Sequence, residues 1–164
     1  MTVPKITVLG LGNTILTDEG FGVHFINRLS ERYRFDDNIS LIDGGTQGYA
    51  LLDIITDCEH LIVIDVIKMD DKPGSVYRFT REEIELHLPE PTSAHEVKFP
   101  DVLCKAEMIG ELPNLIFLCI VPQDHETMSM EMTAIMQQRF PDMEKLLLKE
   151  LEHFDITPVL KTDA

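Results

Sequence analysis

Along the chain, short solid aliphatic runs alternate with longer stretches where apolar residues recur every three or four positions. The first run, Ile6–Gly10, reads as a strand, and a glycine-rich loop leads from it into a predicted helix over 19–34. The apolar side of that helix is Phe25, Ile26, Leu29 and Tyr33. A second strand is predicted at 39–42, ending at Asp43-Gly44-Gly45, then a helix over 49–57, then a third strand at 61–64 ending at Asp65. These strands are continuous runs rather than alternating ones, as expected where helices cover both faces of a parallel sheet.

The second half is less regular. Lys72-Pro73-Gly74 predicts a turn, followed by a strand over 75–79. Thr80-Arg81-Glu82-Glu83 has the form of a capping box, so a short helix is expected to start there. An irregular stretch over 88–98 carries Pro89, Pro91 and His95. A helix over 100–110 opens with a proline suited to its first turn, and Leu115–Val121 is the last strong strand. From about 130 to 153 the pattern is helical, broken or kinked near Pro141. The whole predicts a three-layer α/β/α domain, with a mostly parallel twisted sheet flanked by helices and residues 1–164 as one unit.

Composition narrows the choice of partner. With 29 acidic against 14 basic side chains the formal charge is -15, which repels phosphate backbones and anionic lipids. Neither nucleic acid nor a membrane surface is an expected partner. The chain runs from Met1 into an apolar strand without the shape of a secretory signal, and no apolar run approaches the ~20 residues of a membrane span. Three cysteines, Cys58, Cys104 and Cys119, are an odd number without C-x-x-C spacing, which suits a reducing compartment. A cytoplasmic monomer is the expectation.

Ligands of open α/β sheets bind outside the carboxyl ends of the strands. Asp18-Glu19, Asp43 and Asp65 all fall there. A carboxylate at the end of a buried strand is costly unless something positive meets it, so their coincidence points to a site. The structural alternatives are that Asp18 caps a helix and Asp43 anchors the following turn. The loop Gly10-Leu11-Gly12-Asn13 superficially suits a dinucleotide, but Ile15 replaces the third glycine of that motif. A pyrophosphate there would also face Asp18 and Glu19, which cancel the attraction of the helix N-terminus. Of six histidines, His95 stands apart because it lies in a long proline-containing loop; His24 and His153 read as surface residues on helices. Cys119 lies inside an apolar strand and reads as inert filling.

Together, Gly10-x-Gly12-Asn13-x-x-x-x-Asp18-Glu19-Gly20-x-Gly22 resembles the opening signature of the hydrogenase maturation endopeptidases. Asp43-Gly44-Gly45-Thr46 resembles their second motif, and Leu61–Asp65 their third strand with its terminal acid. Ser93-Ala94-His95, followed by Asp101-Val102-Leu103, resembles their histidine loop and the helix after it. The likeness runs in order from about Lys5 to Val121 and fades beyond.

The resemblance implies an endopeptidase that removes a short C-terminal extension from the precursor of a nickel-iron hydrogenase large subunit, after nickel insertion. It implies Glu19, Asp65 and His95 as the metal-contacting set, with the nickel carried by the substrate. Two carboxylates and an imidazole form an open O/N set suited to a borderline divalent ion. The general base does not follow from the sequence; Asp18 and Asp43 are the spare carboxylates expected within reach of the catalytic site. Two other readings stand beside this one: a non-catalytic chaperone that checks the metal, and an aspartic-type hydrolase whose two carboxylates share a proton.

Overall fold

The computed structural model describes residues 2–87 and 98–162. In chain order the elements are β1 (Ile6–Leu11), α1 (Phe21–Arg32), β2 (Tyr33–Arg34), β3 (Ile39–Gly45), α2 (Leu52–Thr56), β4 (His60–Val66) and β5 (Val76–Thr80). They continue with α3 (Arg81–Glu85), α4 (Phe99–Ile109), β6 (Asn114–Ile120), α5 (Ala134–Gln138), α6 (Phe140–Glu152) and β7 (Val159–Leu160).

The five-stranded sheet has the order β3-β1-β4-β6-β5, parallel except for β5, which runs antiparallel to β6. Strand parity sorts the aliphatic runs into two layers. Ile6, Val8, Ile62, Ile64, Leu118 and Ile120 face one way and pack on α1, α5 and α6, through Phe21, Phe25, Met136, Phe140 and Leu147. Leu9, Leu61, Val63, Phe117 and Cys119 face the other way and pack against α2, α3 and α4. The three-layer α/β/α expectation is therefore met. Among the described residues, no helix is long and apolar enough to cross a membrane.

Local rules account for several boundaries. Thr80 accepts from the Glu83 amide while Glu83 accepts from the Thr80 amide, the reciprocal capping box that starts α3. Pro100 and Pro141 each sit in the first turn of a helix, where a missing N–H costs nothing, so Pro141 begins α6 rather than kinking a longer helix.

Other expectations need correction. The helix predicted from Glu19 starts at Phe21, because Thr17–Gly20 winds into a 3-10 turn first. Its other end stops at Arg32, since Tyr33–Arg34 pairs antiparallel with Val159–Leu160 at the far end of the chain. The predicted helix over 49–57 is a 3-10 turn at Gly48–Leu51 followed by the short α2. Residues 130–133 are not helical: the Glu131 amide bonds the Ser129 hydroxyl, and the Thr133 amide bonds the Asp18 carboxylate in the turn after β1.

Candidate active site at the carboxyl edge of the sheet

After β1 the chain moves to β3 on one side, and after α2 it moves to β4 on the other, so the crevice between β1 and β4 is the topological switch point. Glu19 lies beyond the end of β1 and Asp65 near the end of β4. Both line a cleft of about 910 Å³ whose walls include Gly12, Tyr49, Phe99 and Cys119. Parity explains the direction of Asp65: it follows Leu61 and Val63 onto the α2–α4 side, where the cleft opens.

Two glycines let the edge close this tightly. A Cβ on Gly22 would stand 2.3 Å from both the Ile64 and Leu11 carbonyl oxygens, so only glycine allows α1 to lie directly on the ends of β1 and β4. Gly12 has φ +142, and a Cβ there would meet the Glu19 carbonyl oxygen at 1.8 Å. The glycine spacing of the opening signature is thus a device for bringing the backbone of Glu19 down onto the strand ends, rather than a phosphate cradle.

The electrostatics of the pair are unusual. Burial pushes the Asp65 carboxyl up to about 7; its bond from the Val66 amide, 2.8 Å, pulls the other way, and the charge of Glu19 raises it further. Among the described residues its hydrogen bonds and ion pairs include no basic partner. A desolvated carboxyl beside a second acid is a poor place for negative charge until a cation arrives, so the donor chemistry fits a divalent ion. Among the described residues no three His, Cys, Asp or Glu side chains gather into a metal-holding group. His95, the expected third donor, lies outside the described residues.

The remaining candidates do not join this pair. Asp43 is exposed on β3 and absent from the described lining of the cleft. Asp18 is fully buried, with both carboxylate oxygens engaged by the segment after β6. It does not cap α1, whose N-cap is Gly20. Cys119 stands beside Asp65, but burial, with the charge of Asp65 added, holds its thiol far above the ordinary range and leaves no thiolate for nucleophilic attack. His24, expected at the surface, is only partly exposed, with Nε2 buried and unpartnered among the described residues. Its place under the Thr17–Gly20 turn depends on that turn's shape, which helical periodicity does not reveal.

The class is that of a mostly parallel α/β domain with two carboxylates brought together at its switch point and, among the described residues, no basic side chain paired with them. The family follows from comparison. Residues 23–150 match the hydrogenase maturation protease family (HycI), and the chain belongs to that family. It is 34% identical over 124 residues to the hydrogenase 2 maturation protease of Escherichia coli, covering 74% of this chain and 76% of that one. It is 38% identical over 128 residues to the hydrogenase expression/formation protein HoxM of Azotobacter vinelandii, covering 77% of this chain but 62% of that longer protein. Among solved structures it is similar to the hydrogenase maturating endopeptidase HybD of E. coli, with TM-score 0.87 and 29% identity, covering 98% of this chain and 99% of that one. HybD of Thermococcus kodakarensis is also similar, with TM-score 0.73 and 25% identity over 89% of this chain and 98% of that one.

Proposed function

We propose that this chain is a cytoplasmic endopeptidase that removes the C-terminal extension of a nickel-iron hydrogenase large-subunit precursor once nickel is in place. The observation that carries the reading is the Glu19–Asp65 couple, half-buried in the cleft at the switch point and, among the described residues, without a basic partner. Nickel held by the precursor supplies the missing positive charge. Glu19 and Asp65, with His95 as third donor, complete its coordination and so hold the nearby peptide bond at the cleft. Hydrolysis then adds water across that bond, giving a new carboxyl terminus and a free amine. The precursor is the partner, and the nickel arrives with it rather than residing in the protease. Family membership supports the substrate class, and the volume of the cleft, about 910 Å³, supports entry of a peptide segment.

One observation favours a second reading. A carboxyl titrating near 7 beside another acid also suits an aspartic-type hydrolase, in which the pair shares a proton and activates water directly. Mass measurement of a nickel-loaded precursor before and after treatment separates the possibilities. Loss of a C-terminal fragment only from the loaded precursor is the expected result. Cleavage that survives metal removal would establish the aspartic-type route. A bound but intact precursor would mean a checkpoint chaperone.

A further inference from the structure

Asp18 and Glu19 are neighbours in sequence but face different surroundings. Asp18 has no exposure, and its carboxylate gathers a whole segment of chain. Oδ2 accepts from the Gln123 amide at 3.0 Å and the Asp124 amide at 2.9 Å. Oδ1 accepts from the Thr133 amide at 2.8 Å, and the Thr133 hydroxyl lies within 3.0 Å of both oxygens. Thr133 occupies the N-cap position of α5, yet its side chain makes no cap bond there; its hydroxyl is directed to Asp18. A residue type favoured as a helix cap thus serves the sheet edge instead.

The same two segments are laced together on the other side of Asp18. The Thr17 amide bonds the Ser129 carbonyl at 2.9 Å, the Ser129 amide bonds the Ile15 carbonyl at 3.0 Å, and the Thr17 hydroxyl donates to the Thr127 carbonyl at 2.5 Å. Thr17 is held at φ +51, a conformation that a β-branched residue adopts only when its surroundings impose it. From below, the Glu19 carbonyl rests against Gly12, where no Cβ is tolerated. The backbone of Glu19 is therefore gripped between Gly12 and the Asp18 clamp, and neither grip uses its side chain.

We propose that Asp18 is a positioning residue: with Thr133 it anchors segment 123–133 to the 16–19 turn and so sets where Glu19 stands relative to Asp65. This rests on the endopeptidase reading above. Asp18 is fully buried, does not line the described walls of the cleft and has both oxygens engaged by backbone amides and a hydroxyl, so its contribution is geometry.

Asp18→Asn risks the fold, because it turns a buried acceptor into a donor facing N–H groups. Thr133→Val is the gentler test, since it removes one hydroxyl and leaves the backbone amide bond. Cleavage of nickel-loaded precursor, hydrogen exchange over residues 14–20 and melting temperature are measured for Thr133→Val and Thr133→Ser. Leu147→Ala, a core defect in α6, serves as a stability control. Thr133→Val is expected to speed exchange over 14–20 and to lower cleavage roughly tenfold to a hundredfold, as an ångström-scale misplacement does. Thr133→Ser should restore both, and Leu147→Ala should lower melting without that loss of cleavage. Wild-type cleavage by Thr133→Val, unchanged exchange over 14–20, or an equal loss in Leu147→Ala would overturn the inference. Failure of the wild-type chain to cut any loaded precursor would instead overturn the endopeptidase reading.

Discussion

Two acids stand at opposite ends of the same sheet in opposite company. At the amino ends of β4 and β6, Glu150 of α6 is 4% exposed and meets Arg78 Nε at 2.5 and 3.1 Å, with His153 Nδ1 at 3.5 Å. At the carboxyl end, Asp65 meets one backbone amide and the repulsive charge of Glu19. The first arrangement is closed, because its charge is balanced within the chain. The second is open: among the described residues nothing balances it. Burial by itself does not mark a functional acid; burial without a counter-charge does.

The largest effect expected from this contrast is on cleavage. Glu19→Gln and Asp65→Asn should each lower the rate on loaded precursor at least about a hundredfold, and the double variant should lose little more than either single, because both impair one coordination event. A double variant whose loss is the product of the two singles would divide the couple into independent parts.

Stability should move the other way. The Asp65 carboxyl is raised from 3.8 to about 7 in the folded chain, so the folded state holds a proton that the unfolded state releases earlier. Its contribution is fully present below the ordinary value and is lost as pH rises through about 7. Asp65→Asn, which keeps the acceptor for the Val66 amide, should therefore gain on wild type between pH 4 and 8. The gain is at most about 4 kcal/mol, from 1.36 kcal/mol per unit. Denaturant melts of both chains at four pH values check this, and a difference independent of pH would show that Asp65 is not strained.

At the closed end the signs reverse. Arg78→Met leaves Glu150 buried with its main partner gone, and should cost about 2 kcal/mol, reduced from the fully buried case because the arginine is half exposed. Cleavage should stay within about twofold of wild type, since no atom of the cleft is touched. A larger loss of activity than of stability would mean that the two ends are coupled through the sheet.

The four parallel strands were legible in the sequence because strands covered on both faces, as β1, β4 and β6 are, become nearly continuous aliphatic runs, and the edge strand β3 keeps enough of that pattern in Ile39, Leu41 and Ile42. The capping box at Thr80–Glu83 and the prolines opening α4 and α6 were legible for a similar reason: they act within one turn. Glu19 and Asp65 could be placed at one edge because topology puts strand ends together. The β2–β7 pair could not be read, since Tyr33–Arg34 gains its partner about 125 residues later and two residues carry no periodicity.

The division between Asp18 and Glu19 belongs to the tertiary structure alone. Read in sequence they are two adjacent acids of equal standing, and Asp43 is a third. What separates them is that the amides of Gln123, Asp124 and Thr133, more than a hundred residues away, converge on one carboxylate and not on its neighbour. The Thr133 bond, with that of the Glu131 amide to Ser129, in turn keeps residues 130–133 out of the helix that their local pattern favours. Local chemistry determines which residues can carry charge at a strand end. Only the packed chain decides which of those charges is satisfied from within, because desolvation and hydrogen bonding depend on groups that no short window of sequence contains.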